Sequence, residues 1–176
     1  MNRNSSGAAG VPSVQDALCP PAGRDGLCLL FCRLGVAGLA RRAPGTWGSA
    51  VAALLAPLWF LPLSLQGRAL VLAGVFFVGA LAASRVEVLL GREDPPQVVV
   101  DELLGMWLTL LPFAQPSLSM LLAGFVLFRI FDIWKPWPVG ASEHWMRGGF
   151  GVMLDDALAG VWAMLCLGGL HALGWV

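Results

Sequence analysis

The chain has 176 residues, which is enough for one domain. Hydrophobic residues make up 57% of it, only 12% of its residues are charged, and its formal net charge is zero. A soluble domain carries about 25% charged residues, so this composition indicates an integral membrane protein. The absence of a basic field and of any known binding motif excludes a nucleic-acid partner. Eight Trp residues and no Tyr suit anchoring among membrane lipids.

The chain opens with a polar stretch that is rich in Gly and Pro and has no hydrophobic periodicity. We therefore predict a disordered tail at residues 1–26 and one membrane-embedded domain at residues 27–176. The domain contains six apolar segments: Leu27–Ala40, Ser49–Leu63, Ala69–Leu90, Leu103–Phe113, Leu118–Ile133 and Ala157–Val176. Only the third and the last approach the ~20 residues that cross a bilayer. The pattern predicts an all-α integral membrane bundle with about four to five membrane-embedded helices, some short or re-entrant.

The basic residues predict how these segments are oriented. If the second to sixth segments each change sides, the connections at 41–48, 91–102 and 129–156 meet at one face. Ten of the eleven Lys and Arg residues then belong to that face, and Arg68 alone belongs to the other. This count of basic residues holds only if the first segment does not itself cross the membrane, so we predict that this segment is interfacial or re-entrant. An excess of Lys and Arg marks the cytoplasmic side, so we predict a multi-pass protein with these connections in the cytoplasm.

The most unusual stretch is FRIFDIWKPWP at residues 128–138. On a helix, its spacing places Arg129, Asp132 and Lys135 along one stripe. Charges in apolar surroundings cost several kcal/mol unless they are paired or used, so the stripe predicts a functional site. The predicted topology brings two acidic pairs to the same surface, Asp101-Glu102 and Asp155-Asp156.

The acidic pairs indicate a bound cation. A single carboxylate at a helix N-terminus is explained by the helix dipole, but two adjacent carboxylates repel each other and need a counter-charge. Oxygen ligands without a usable His or Cys pattern favour Mg²⁺ over Zn²⁺.

The cations and glycines of the same surface suit a phosphate. Arg129 would bind it in a bidentate manner and Lys135 as a point charge. Backbone N–H groups of Gly45 and Thr46, or of the turn at 148–151, would form an anion-binding nest. The residues therefore predict phosphoryl-group chemistry at the inner membrane surface.

Four sequence blocks resemble the phosphatidylglycerophosphatase A family. They are PGTWGS at 44–49, DP at 94–95 leading to VVDELLGMW at 99–107, GF at 124–125 followed by FRIFDIWKPWP, and GGFGVMLDDALAG at 148–160. Their order and spacing match over about residues 35–176, and the third block is highly specific. The residues before Gly35 match nothing, and the stretch at 87–93 is not distinctive, so Arg92 and Glu93 receive no role.

This resemblance implies a Mg²⁺-dependent lipid phosphatase, a phosphoric monoester hydrolase. It would hydrolyse phosphatidylglycerophosphate to phosphatidylglycerol and inorganic phosphate in bacterial phospholipid biosynthesis, on the cytoplasmic face of the cell inner membrane. We predict that the metal ligands are Asp101, Glu102, Asp155 and Asp156. Asp132 would join these catalytic carboxylates, and the phosphate would be held by Arg129, Lys135, Gly45 and Thr46. Which carboxylate activates water, acts as nucleophile or binds metal is left open.

Two other kinds of membrane protein, a phosphotransferase and a transporter or channel, also place charges among apolar helices. An enzyme resembling the CDP-alcohol phosphotransferases also uses carboxylates and Mg²⁺ at the membrane surface, but its longer Asp-rich signature is not found here. A small transporter or channel would distribute its charges through the depth of the membrane. Here the predicted charges gather at one surface, which favours the phosphatase.

Overall fold

The computed structural model describes residues 23–142 and 145–176, and this part of the chain is helical without any strand. Its α-helices are α1 Arg24–Cys32, α2 Pro44–Leu55, α3 Leu65–Leu90, α4 Val100–Thr109, α5 Leu118–Trp134, α6 Val139–Ser142 and α7 Gly149–Ala172. A 3₁₀ turn, Ala37–Leu39, follows α1, and a π-helix, Ala56–Phe60, continues α2. The all-α prediction is confirmed.

Local sequence signals set several helix ends. Pro44 occupies the first turn of α2, where its missing N–H costs nothing. Ser64 and Ser117 cap α3 and α5 by accepting hydrogen bonds from backbone N–H groups in the first turns. The predicted fifth segment, Leu118–Ile133, agrees with α5 to within one residue.

Other boundaries differ from the prediction. Helix α7 begins at Gly149 rather than at Ala157, because Gly148 turns the chain with φ +65° and the glycines after it continue as helix. Asp155 and Asp156 therefore lie inside α7 and not at its start. Most of the predicted tail, residues 1–22, lies outside the described residues, whereas residues 24–26 form the first turn of α1.

The centre of the bundle is the crossing of α4 and α7. Gly160 lies so close to Gly105 that a Cβ at Gly160 would come within 3.0 Å of the Gly105 Cα. Thr109 Oγ1 donates to the Gly105 carbonyl of its own helix at 2.9 Å, and it also lies 3.4 Å from the Gly160 carbonyl. Because α4 rises only ~15 Å, it cannot cross a bilayer alone, and it is buried among the longer helices.

Arg68 ties two connections together at the end of the bundle away from α4's first turn. Its side chain is 4% exposed and donates to four backbone carbonyls, those of Leu61, Leu63, Leu111 and Phe113, at 2.5–3.1 Å. These carbonyls belong to the α2–α3 and α4–α5 connections. Arg68, the one basic residue predicted at this end, thus has a backbone acceptor for each of its three guanidinium nitrogens.

The outer surface of the bundle is apolar. Large side chains such as Leu54, Leu70, Leu81 and Leu122 are more than half exposed. Helices α3 and α7 are long and apolar enough to cross a membrane. Only 33% of the apolar stretch of α3 and 44% of that of α7 is buried inside the protein. Such exposure is unfavourable in water, so the two helices suggest membrane association.

Candidate active site

Three carboxylates from two helices meet in the interior. One oxygen from each of Asp101, Glu102 and Asp156 lies within 4.8 Å of the other two. Asp101 and Glu102 belong to the first turn of α4, whereas Asp156 comes from the second turn of α7. Asp101 is 8% and Asp156 is 4% exposed, so their charges are removed from water. The close crossing of α4 and α7 is what brings these positions together.

The carboxylates of α4 are electrostatically unfavourable when ionised. Burial, followed by the neighbouring Glu102, raises the pKa of Asp101 well above its usual value. Burial raises the pKa of Glu102 to about 8, although its hydrogen bond with Asp101 acts in the opposite direction. Three such groups ionise together only where a positive charge balances them.

The donor set fits a divalent cation. Glu102 Oε2 and Asp156 Oδ2 are buried atoms that find no hydrogen-bond partner among the described residues. Orphaned carboxylate oxygens are costly, and a hard cation such as Mg²⁺ takes oxygen ligands of this kind. The structure thus brings together three of the four predicted ligands, and the fourth, Asp155, is paired elsewhere.

Arg129 lies beside the three carboxylates. Its Nη1 forms an ion pair with Asp132 Oδ2 at 2.5 Å and lies 3.4 Å from Ser49 Oγ. The Asp132 carboxylate also contacts that of Asp156, so it connects the cation to the acidic group. Arg129 Nε is buried and has no hydrogen-bond partner in the part of the chain that the structure describes. An acceptor such as a phosphate oxygen would satisfy it.

Gly45 forms another wall of the site. A Cβ at this position would overlap Glu102 Oε1 and come within 3.2 Å of Arg129 Nη1, so only glycine leaves room for both side chains. The backbone N–H of Thr46 donates to the Ala43 carbonyl at 3.0 Å and is therefore already used. Ser49, one turn after Gly45, was not predicted as a site residue, although its spacing places it on the same helix face.

Lys135 and Asp155 form a pair adjoining this site. Lys135 Nζ lies 2.7 Å from Asp155 Oδ2, which joins the end of α5 to α7. The sequence had assigned Lys135 to phosphate and Asp155 to metal. In the structure these two side chains form an ion pair with each other, although Asp155 directly precedes Asp156.

A cavity of about 530 Å³ opens on the other side of Asp155. Its remaining lining residues are Glu87, Glu93, Asp94, Met146, Arg147, Gly148, Gly151 and Val152. The predicted nest at 148–151 is only partly available, because the Gly149 N–H donates to Ser84 Oγ at 3.0 Å. The glycines of this turn instead line the cavity and pack α7 against α3.

Comparisons with known proteins identify the family of this chain. The sequence profile of the phosphatidylglycerophosphatase A family matches residues 30–171. The phosphatidylglycerophosphatase A of Escherichia coli K12 is 38% identical over 128 residues, which cover 70% of this chain and 72% of the relative. The protein of the same name from Haemophilus influenzae is 34% identical over 128 residues, 73% of this chain and 78% of the relative.

A third relative carries another name. The putative phosphatidylinositol-3-phosphatase of Bacteroides thetaiotaomicron is 40% identical over 136 residues, 74% of this chain and 84% of the relative. No solved structure matches the chain significantly. Residues 30–171, which the family profile matches, contain every residue of the site described above.

Proposed function

Because this chain belongs to the phosphatidylglycerophosphatase A family and is a phosphoric monoester hydrolase, as its sequence predicted, we propose that it hydrolyses phosphatidylglycerophosphate. The products are phosphatidylglycerol and inorganic phosphate. The observation that carries the proposal is the group of three carboxylates beside Arg129, whose Nε has no hydrogen-bond partner among the described residues. The names of two relatives support this substrate. The third relative is named as a putative phosphatase of another phospholipid, phosphatidylinositol-3-phosphate.

We propose Mg²⁺ as the cofactor, held by Asp101, Glu102 and Asp156. The orphaned oxygens of Glu102 and Asp156 and the oxygen-only donor set support this choice. When bound, Mg²⁺ would neutralise charge on the phosphate and polarise its oxygens. Because Asp155 is paired with Lys135, we propose that it does not bind the metal directly and instead helps to hold the turn that carries Asp156.

The remaining residues of the site would orient the phosphate and the water. Arg129 would donate from Nε to a phosphate oxygen, while its Nη1 stays on Asp132. Hydrolysis forms a bond between the water oxygen and phosphorus, breaks the bond from phosphorus to the glycerol oxygen, and returns a proton to that oxygen. Asp132, which contacts both Arg129 and Asp156, is the residue that we propose to take the water's proton.

We further propose that the site faces the cytoplasm at the inner membrane of a bacterium. Exposed Trp residues support two interfacial belts. At the site end these are Trp47, Trp134, Trp137 and Trp145, and at the opposite end Trp59 and Trp175. The excess of basic residues at the site end supports the cytoplasmic orientation. The acyl chains would stay among the membrane lipids, and the cavity beside Asp155 is large enough for part of the headgroup.

Phosphate release by the purified protein tests the proposal. Mixed micelles containing phosphatidylglycerophosphate, phosphatidic acid or phosphatidylinositol-3-phosphate would be compared with and without EDTA. We expect the first lipid to be preferred, EDTA to abolish release and excess Mg²⁺ to restore it. Full activity in EDTA would refute the metal, and preference for the inositol lipid would favour the activity named for the third relative.

Two variants test the ligands. Asp101→Asn and Asp156→Asn should lower phosphate release at least ~10³-fold while the protein still accumulates in membranes. Asp25→Asn is the matched control, because Asp25 lies in α1, outside the site, and forms an ion pair with the exposed Arg85. Normal turnover by either ligand variant would contradict the assignment.

A further inference from the structure

We infer that Ser49 is a positioning residue for phosphate binding, which it serves by fixing the guanidinium of Arg129. This inference rests on the proposed function, in which Arg129 binds the phosphate. Ser49 is fully buried on α2, and its hydroxyl lies between the Gly45 carbonyl and Arg129 Nη1. It therefore connects the wall formed by Gly45 to the cation on α5.

The direction of the two hydrogen bonds is set by proton count. A serine hydroxyl has one proton, and Ser49 donates it to the Gly45 carbonyl at 2.8 Å. Its oxygen is then oriented to accept, and Arg129 Nη1, at 3.4 Å, is the donor that faces it. The hydroxyl is thus held in an accepting orientation before any substrate arrives.

Two acceptors then hold one nitrogen of Arg129. Asp132 lies on the same helix as Arg129 and moves with it, whereas Ser49 belongs to another helix. Asp132 alone lets the guanidinium swing with α5, but Ser49 ties it to α2. The tie keeps the buried Nε, which has no partner among residues 23–142 and 145–176, aimed at a fixed point.

A purely structural role for the hydroxyl makes a different prediction. Ser and Thr within helices often donate to the carbonyl four residues earlier, with no further purpose. Thr109 does so in this protein, since its Oγ1 donates to Gly105 at 2.9 Å. Thr109 is therefore the matched control, because it is a buried hydroxyl with the same local bond, and its second neighbour is the Gly160 carbonyl rather than Arg129.

The test is titration of the Mg²⁺-loaded protein with inorganic phosphate by calorimetry, together with KM and kcat for phosphatidylglycerophosphate. We expect Ser49→Ala to weaken phosphate binding and raise KM about three- to tenfold, as for loss of one ordinary hydrogen bond, because the contact to Arg129 is long at 3.4 Å. Thr109→Val should lower the melting temperature but leave phosphate affinity unchanged. Ser49→Cys, which preserves the volume, should match Ser49→Ala and serves if the alanine variant does not fold.

The dependence on Arg129 is checked in an Arg129→Lys background. Lysine has no second nitrogen to be positioned, so Ser49→Ala should there change phosphate affinity less than twofold. Unchanged affinity in Ser49→Ala, an equal loss in Thr109→Val, or an equal loss in the lysine background would each overturn the inference. A wild-type protein that binds phosphate but hydrolyses no lipid would refute the proposed function and leave this test valid.

Discussion

Lys135 Nζ lies 2.7 Å from Asp155 Oδ2, and this ion pair fastens the last turn of α5 to the second turn of α7. The side chains of Lys135 and Asp155 are 32% and 11% exposed, so the carboxylate is the more deeply buried partner. Asp156, the adjacent residue, supplies one oxygen to the three-carboxylate group. The pair therefore holds the turn that carries Asp156, one of the three proposed metal ligands.

Removing Lys135 should disturb both stability and metal affinity. Lys135→Met leaves the Asp155 carboxylate without this cation, and we expect a loss of about 1–3 kcal/mol in the free energy of unfolding, given the partial exposure of the pair. The Mg²⁺ concentration for half activity should rise. Both quantities are measured by thermal unfolding and by activity against Mg²⁺ in detergent.

A double variant separates pairing from phosphate binding. Lys135→Met with Asp155→Asn removes both charges and should recover most of the lost stability. If Lys135 also contacts the phosphate, as the sequence predicted, KM should remain raised in the double variant. Complete recovery of KM would assign Lys135 to the ion pair alone.

Gly45 should be intolerant of even one methyl group. In Gly45→Ala the Cβ meets Glu102 Oε1, the end of a flexible side chain, so Glu102 moves and the fold survives. We expect kcat/KM to fall at least ~10-fold, because a displaced ligand spoils the geometry of the site, with little change in melting temperature. Gly74→Ala is the control, since its Cβ would meet nothing within 4 Å, and it should keep full activity.

The effect of Mg²⁺ on stability should depend on pH. The pKa of Glu102 is about 8 in the folded protein, above its ordinary value of 4.5, so the metal-free fold binds more protons than the unfolded chain between these values. Its stability therefore falls as pH rises through this window. A bound cation favours the ionised form, so the Mg²⁺-induced rise in melting temperature should be larger at about pH 8 than at about pH 5.5.

Glu102→Gln provides the control for that measurement. The amide does not titrate, so the fall in stability of the metal-free protein with rising pH should become shallower. The same slope in Glu102→Gln and wild type would show that other groups cause it.

Arg68 should matter for folding more than for chemistry. Arg68→Met leaves four carbonyls of two connections without their donor, and we expect a loss of about 3–5 kcal/mol in the free energy of unfolding. Arg85→Met is the matched control on the same helix, because Arg85 is exposed and pairs with Asp25 at the surface. Equal melting temperatures for the two variants would contradict the structural role of Arg68.

The sequence was sufficient for the helical class and for most of the site, because the informative signals were local. Charges inside apolar stretches identified Asp101, Glu102, Arg129 and Asp156, and the serine before α5 marked where that helix begins. Start positions were predicted less well where glycines occur. Gly149 resembles part of a turn in the sequence, yet it begins α7, where it packs closely against Ala80 and Ser84 of α3.

Pairings between distant residues were not predictable from local pattern. Whether Lys135 faces a phosphate or Asp155 depends on how α5 leans on α7, and this is set by the packing of the whole bundle. Ser49 was overlooked for the same reason. A small hydroxyl in an apolar helix has no signal of its own until the neighbouring Arg129 is placed beside it.

The origin of the three carboxylates also determines when during synthesis the site can exist. Asp101 and Glu102 leave the ribosome together, but Asp156 follows only with α7, after α5 has been made. A nascent chain that ends before α7 holds two uncompensated acids and no complete cation site. The proposed Mg²⁺ would therefore be captured only after α7 has packed on α4, and it would stabilise only chains in which these two helices have met.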